Sequence, residues 1–477
     1  MRLPSPAATA AALAALALTA CATGHRQPEV ALPAAFEAPA PVAGAVELDR
    51  WWTAFGDPQL TALIEGALVE GFDARIAAAR LAEARAVRSS QLTAFLPQGN
   101  LTGSGRRTET EQLEGTAVDI PGFSTSGTSE QYQANFNVSW EIDLFGRIFA
   151  ANRATRADVA AARFAFEGAR ASLAAAVADA YFQARGLAIQ LGEAEETARI
   201  QRELLEIARI RAERGLGATS DADRVAGDLA QAESQVQALQ GELQAARRSL
   251  LVLVGRGTDP LADLTVPASV GEAPPAPRTL PGELLARRPD VREAEARFRG
   301  QLGRKDLAAK AFFPTFTLTP GLGIQRQVQP SFESTSSSWS IGAGVTIPVL
   351  DIPRLLAELR AQDARTEQAA LTYERAVQTA YGEAENALVR LDADRRRVAL
   401  LTEGERRAQR AYEAARIRYS RGLGDLQTAL SAEQAWRATR SQLTAAQVQA
   451  VRRAVQAYQA VGGGWPASTA SAPGGGG

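Results

Sequence analysis

Two hydrophobic periods alternate along this 477-residue chain. In residues 133–144, Ala134, Phe136, Val138, Trp140, Ile142 and Leu144 alternate with Asn135, Asn137, Ser139, Glu141 and Asp143. A period of two gives a strand one oily and one wet face. A partner strand sets Trp339, Ile341, Ala343, Val345, Ile347 and Val349 against Ser340, Gly342, Gly344 and Thr346. A third places Phe316, Leu318, Leu322 and Ile324 among Thr315, Thr317, Gly321, Gly323 and Gln325. The first strand is weaker, with Gln98, Asn100, Thr102 and Ser104 alternating with Gly99, Leu101, Gly103 and Gly105. Segments of about ten residues with this pattern suit tilted outer-membrane strands, and a soluble half-buried sheet equally well. Trp140 and Trp339 fit either an interface girdle or a core.

Elsewhere the period is close to 3.5. Val159, Ala162, Phe166, Ala169, Leu173, Ala176 and Ala180 step by three and four, and so do Leu229, Ala232, Val236, Leu239, Leu243, Ala246, Leu250 and Leu253. Such seams predict helices paired as coiled coils. Residues 150–180 contain fifteen alanines in 31, which favours helix and permits close backbone approach. A continuous helix over 150–211 would extend about 93 Å at the standard rise, longer than an ordinary globular domain needs.

The chain is also duplicated. Ala208-Arg209-Ile210-Arg211-Ala212-Glu213-Arg214-Gly215-Leu216-Gly217 recurs as Ala415-Arg416-Ile417-Arg418-Tyr419-Ser420-Arg421-Gly422-Leu423-Gly424, eight of ten identical at an offset of 207. Ala94-Phe95-Leu96-Pro97 matches Ala311-Phe312-Phe313-Pro314 at an offset of 217, so one loop of the first copy is longer by ten residues. The copies span 61–254 and 290–461. Each reads as a helix (60–95 and 290–311), two strands, a very long helix, a Gly-rich break and a last helix. Between them, 255–289 is a proline-rich connector with little helix, and the Gly/Ser/Ala/Pro tail 462–477 reads as disordered. The fold class is mainly α with a transmembrane β part.

Four strands cannot close a barrel, and open edges cannot be left in lipid, where each unpaired backbone group costs several kcal/mol. If the strands span a membrane, copies must share one barrel. Two would supply eight strands and three would supply twelve.

Composition narrows the function. The 52 basic and 53 acidic side chains balance, so no field attracts nucleic acid. With one cysteine, Cys21, and one histidine, His25, no disulfide framework, Cys/His metal site or His-centred triad can be assembled. No phosphate-binding Gly-Lys loop or Gly-x-Ser-x-Gly elbow is present, and the reading is of a non-enzyme without cofactor or metal. At the amino terminus, Met1-Arg2 is followed by a 14-residue apolar run from Ala7 to Ala20, too short for a bilayer span. It ends in Leu18-Thr19-Ala20-Cys21, similar to a bacterial lipobox. Residues 1–20 then form a lipoprotein signal peptide, 21–60 a lipidated amino-terminal segment, and Cys21 carries the lipid, palmitate included. Ala22, rather than aspartate, fits outer-membrane sorting.

These residues together resemble the TolC-type outer-membrane factors, specifically the NodT family of efflux channel lipoproteins that serve RND-type tripartite pumps. The match is carried by Cys21, Trp51-Trp52-Thr53-Ala54-Phe55-Gly56-Asp57-Pro58-Gln59-Leu60, Phe95-Leu96-Pro97-Gln98 and Trp140-Glu141-Ile142-Asp143-Leu144-Phe145-Gly146-Arg147. Ala180-Tyr181-Phe182, Leu285-Ala286-Arg287-Arg288-Pro289-Asp290-Val291-Arg292 and Arg418-Tyr419-Ser420-Arg421-Gly422 continue it. The resemblance implies a homotrimer with a shared twelve-stranded outer-membrane barrel and a periplasmic α-barrel. Its partners would be a periplasmic adaptor, an inner-membrane pump and outer-membrane lipid. Loops 107–130 and 326–338 would be extracellular.

The breaks Arg214-Gly215-Leu216-Gly217 and Arg421-Gly422-Leu423-Gly424 become periplasmic tips that dock the adaptor. Tyr419 and Asp221 fall where the family ties neighbouring helices to shut the entrance. The family's acidic ring is replaced by Thr428 and Ser431, leaving Asp425 as a possible substitute. The competing readings are a protein-secretion channel of the same type and a structural coiled-coil periplasmic protein.

Overall fold

The structure is a computed structural model that describes residues 27–38, 47–111, 127–277, 279–329 and 332–464. Cys21 and the signal segment lie outside the described residues. The first copy contains α1 (Pro58–Glu70), α2 (Phe72–Thr93), β1 (Gln98–Thr110), β2 (Gly127–Ile142), α3 (Arg147–Glu213) and α4 (Thr219–Leu253). The second contains α5 (Leu284–Arg287), α6 (Pro289–Lys310), β3 (Thr315–Gln329), β4 (Phe332–Thr346), α7 (Ile352–Ser420) and α8 (Leu426–Ala460). The duplication is kept closely: α2 and α6 each have 22 residues, α4 and α8 each 35, and α3 and α7 have 67 and 69. The helix expected over 60–95 is instead broken at Gly71. Its ψ of 135° leaves the helical region, and a Cβ there would meet the Ala67 carbonyl oxygen at 2.4 Å.

The chain divides into two compact units. The first, Ala82–Ala160 with Glu295–Leu371, holds an antiparallel sheet of order β1-β2-β3-β4. Opposed residues share a face, so the register sorts the side chains. Leu101, Phe136, Leu322 and Trp339 stand in one row, and Trp140, Leu318 and Ala343 in another on the same face. Asn135, Gly323 and Ser338, then Asn137, Gly321 and Ser340, line the opposite face. The strands run further than the alternation suggests: 107–110, 127–130, 326–329 and 332–338, expected as loop, are paired strand. The regular apolar alternation gives out there, with Val328 and Phe332 the isolated exceptions, while the ladder continues beside the ion pairs Arg107–Glu130 and Arg326–Glu333. Between the paired strands 16 residues separate β1 from β2 and two separate β3 from β4, so the first interval is the longer, as the shift in offset requires.

The second unit, Glu29–Leu81, Ala161–Ala294 and Thr372–Gly477, is helical. Its main core gathers Trp51, Leu60, Ile64, Tyr181, Leu250, Leu391 and Tyr458, all nearly without exposure. Trp51 stacks on Tyr458 with ring centroids 5.9 Å apart. The seam from Leu229 to Leu253 faces inward throughout, whereas Ala176, assigned to the α3 seam, is exposed. Around it Ala174, Ala175, Val177 and Ala178 are buried, because the core surrounds α3 more broadly than one coiled-coil seam does.

Asp57 begins the core: its carboxylate caps α1 by accepting from the Leu60 amide at 3.0 Å, accepts from the Tyr181 hydroxyl at 2.9 Å and pairs with Arg185. Burial, with Asp57 as acceptor, raises the Tyr181 pKa far above that of a free phenol, so the group is a neutral donor. In the Arg-Arg-Pro-Asp run, Pro289 starts α6 and Arg288 holds Asp290 at 2.6 Å and Glu383 at 2.7 Å while donating to the Ala460 carbonyl at the end of α8. Gly255 and Gly462 end α4 and α8 with φ of 82° and 84°. Gly463 and Gly464, expected in a disordered tail, are instead tied down, Gly463 donating to the Tyr458 carbonyl and Gly464 to that of Leu48; residues 465–477 lie outside the described residues.

Two predictions follow from this packing. Asp57→Ala removes a cap and leaves Arg185 buried without its partner, which costs about 3 kcal/mol; Asp57→Asn, which keeps the cap, should cost clearly less. Thermal unfolding of the detergent-solubilised protein reads both, and equal losses would contradict the charge pair. Gly462→Ala must strain a left-handed residue against Arg287, whose Cβ would lie 2.9 Å away, whereas Gly227→Ala meets open space inside α4. The first should lower Tm and the second should leave it unchanged or raise it, by roughly 0.5–1 kcal/mol of stabilisation.

Candidate functional site

The sheet is one candidate surface. Its apolar face is uncovered, with Leu101 76%, Trp339 77% and Ile341 67% exposed. A patch of this kind marks contact with lipid or a partner rather than with water. Its other face carries amides, hydroxyls and glycines. There a Cβ on Gly323 would meet the Asn135 side-chain oxygen at 2.7 Å, and one on Gly342 the Thr319 hydroxyl at the same distance. Each edge strand pairs on one side only. Among the described residues no helix is long and apolar enough to cross a membrane.

The strand-to-helix turn after β2 explains the Trp-Glu-Ile-Asp-Leu-Phe-Gly-Arg run. Gly146 adopts φ 74° and lets the chain reverse into α3. Asp143 caps that helix, accepting from the Arg147 and Ile148 amides at 2.8 Å each. Burial alone would raise its pKa, but these amides prevail and hold the carboxyl below the usual range. Glu141 takes the Arg147 guanidinium at 2.7 Å.

The helical tips are the second candidate site. At the first, the Leu216 amide donates to the Arg211 carbonyl at 2.8 Å and the Gly215 amide to Ala212 at 3.0 Å. Leu423 to Arg418 and Gly422 to Tyr419 repeat these bonds at the same distances. This is a Schellman close, with left-handed glycines at φ 69° and 72°. Gly217 and Gly424 complete the turns close to Arg211 and Arg418. Arg214, Leu216, Arg421 and Leu423 all point into solvent, the two leucines 66% and 68% exposed. Two exposed leucines in matching turns form an apolar point on each hairpin.

Tyr419 does not share that exposure. It is buried, with the Arg211 guanidinium 5.1 Å from its ring centre. Burial raises its pKa, Arg211 opposes this and the Asp221 charge adds to it. Tyr419 and Asp221 therefore come to one end of the helices without a hydrogen bond joining them within a chain. Ser431 is exposed and accepts from Gln427 at 3.3 Å. Asp425, considered a substitute acid, is committed to capping α8. It accepts from the Thr428 amide at 2.6 Å and hydroxyl at 3.0 Å, and those bonds lower its pKa.

Sequence reasoning missed Arg211 and the stack of Tyr412 on Trp436, whose ring centroids lie 5.2 Å apart with Trp436 donating to Glu405 at 2.8 Å. The signal was present: at the 207-residue offset, Tyr412, Tyr419 and Trp436 match Leu205, Ala212 and Leu229.

Comparison with known proteins agrees with this geometry. The chain is 28% identical to the cation efflux system protein CusC of Escherichia coli O6:H1, over 94% of this chain and 97% of that protein. It is 29% identical to the pyoverdine export outer membrane protein OpmQ of Pseudomonas putida, over 95% and 97%. Among solved structures, the outer-membrane channel OprN superposes with a TM-score of 0.78 at 30% identity, covering 93% of this chain and 99% of that one. A CusC structure superposes with a TM-score of 0.79 at 25% identity, covering 93% and 100%. Residues 63–256 and 280–463 match one family, so the chain belongs to the outer membrane efflux protein family.

Proposed function

We propose that this chain is the outer-membrane channel subunit of a tripartite efflux pump, conducting small molecules such as drugs or metals passively from pump and adaptor to the cell exterior. The observation that carries the reading is the sheet: a bare apolar face, a wet opposite face and two unpaired edges. Three copies would join β1 to β4 of the next copy and close twelve strands, leaving no edge in lipid. The wet face then lines the lumen and the apolar face meets the acyl chains. A lipid on Cys21 would anchor each copy beside the barrel. The 27–38 segment is laid along α7, where the Glu29 and Glu37 amides donate to Glu374 and Glu385 at 3.1 Å each. The chain is read as a conduit and not as a catalyst.

The tips supply the periplasmic end of this reading. Arg214, Leu216, Arg421 and Leu423 present charge and apolar surface for an adaptor, on turns fixed by Gly215, Gly217, Gly422 and Gly424. Tyr419 and Asp221 act as the gate pair between neighbouring hairpins, with Arg211 holding the tyrosine ring. Ser431 in place of an acid leaves the gate without a charged ring at that level.

In planar bilayers the purified protein should conduct weakly at rest, and Tyr419→Phe combined with Asp221→Ala should raise resting conductance several-fold. Unchanged conductance in the double variant would remove the gate pair. A folded protein that never conducts, in any variant, would overturn the channel reading.

A further inference from the structure

One acid near the tips is fully enclosed and has no part in the gate pair. Glu433 on α8 has 0% exposure. Leu430 and Trp436 lie one turn to either side of it, and Leu204 and Leu205 one turn beyond Gln201 on α3; all four belong to one apolar cluster. Gln201, 1% exposed, places its Nε2 at 3.3 and 3.4 Å from the two carboxylate oxygens, and the Arg437 Nε lies 2.8 Å from one of them. The contact joins α3 of the first hairpin to α8 of the second.

The other copy carries no polar group at the matching positions. At the 207-residue offset, Gln201, Glu433 and Arg437 match Ala408, Ala226 and Ala230. The matching positions on α7 and α4 are alanines, while the contact of α3 with α8 encloses a carboxyl group. Three buried polar atoms here lack a hydrogen-bond partner, the Gln201 Oε1, the Tyr412 hydroxyl and the Arg437 Nε, and of these the Gln201 oxygen can only accept. A protonated Glu433 carries the O–H that the Gln201 oxygen lacks, and turning the amide over brings that oxygen to the carboxyl.

We propose that Glu433 is a proton-responsive positioning residue: protonated, it fastens α3 to α8 through Gln201, and ionised, it loosens the crossing that holds the second hairpin to the first. The groups facing it account for the sign. Burial raises its pKa, Arg437 and Gln201 oppose this, and Asp228 from α4 adds a like charge. From α7, Tyr412 lies close, with Arg416 and the α3 residues Glu203 and Glu196 acting on the same phenol. The net direction is upward. A carboxyl whose pKa is raised in the packed state stabilises that state at low pH, and this stability is lost as pH rises through the raised value. The crossing is thus firm in acid and loosened as pH rises. Its bearing on opening rests on the channel reading, but the fastening itself does not.

The test is amide hydrogen exchange on the full-length protein in detergent, at about pH 5 and about pH 8, corrected for the intrinsic rate. Wild-type peptides around 201 and 433 should lose protection severalfold between the two, in the direction that the raised pKa of Glu433 sets. Glu433→Gln should keep the acid-level protection at both, and Arg437→Gln, which removes only the counter-charge, should widen the difference. Peptides around 64 and 251, which lie in the separate core of Trp51 and Tyr458, should not respond in any of the three. Protection in the wild type that is independent of pH, or a Glu433→Gln protein that follows the wild type, would overturn the proposal. Conductance measured on the same samples reports separately on the channel reading, because the exchange result does not depend on it.

Discussion

Everything in this molecule depends on how the backbone hydrogen bonds at the two sheet edges are satisfied. In water an open strand edge risks aggregation, and in lipid each unpaired group costs several kcal/mol. The chain makes four strands and stops, with one side apolar and exposed. A sheet of that composition is stable only if something continues it, and the simplest continuation is another copy of itself. Duplication within the chain and repetition of the chain are then one device applied twice: a strand pair followed by a helical hairpin.

The helices show how such repetition is kept in register. α4 and α8 end in the same left-handed glycine, and both tips close through the same pair of backbone bonds. The differences between copies are therefore informative. Asp425 caps α8, whereas Ala218 at the matching position offers α4 no side-chain cap. Tyr419, Trp436 and Glu433 stand where the first copy has Ala212, Leu229 and Ala226. At these four positions the second hairpin carries the polar or aromatic group, while Gln201 stands on the first where the second has Ala408.

Much of this was legible from the chain alone. The period-two segments located all four strands, and the duplication predicted the same order of helix, strand pair and helical hairpin in each copy. What was not legible has physical causes. The strand ends beyond the apolar band carry no alternation, because ladder hydrogen bonds do not depend on side-chain hydrophobicity, so 107–110 and 332–338 read as loop. The Gly71 break was hidden because one glycine in an alanine-rich helix is weak punctuation. Ala176 followed a heptad that the broader core around α3 does not obey. At the tips, glycine spacing located the turns, but Arg211 over Tyr419 and the Gln201–Glu433 contact are long-range pairings that no local pattern encodes.

The central claim, that β1 of one copy pairs with β4 of the next, is tested most directly by disulfide trapping. Single cysteines on β1 at Asn100, Thr102 or Ser104 would be combined with cysteines on β4 at Ser336, Ser338 or Ser340 in the membrane-inserted protein. The account predicts that at least one register gives linked dimers and trimers, and nothing larger, on a non-reducing gel. A folded, membrane-inserted protein that stays monomeric in every combination, or that forms an open ladder of higher species, would contradict it.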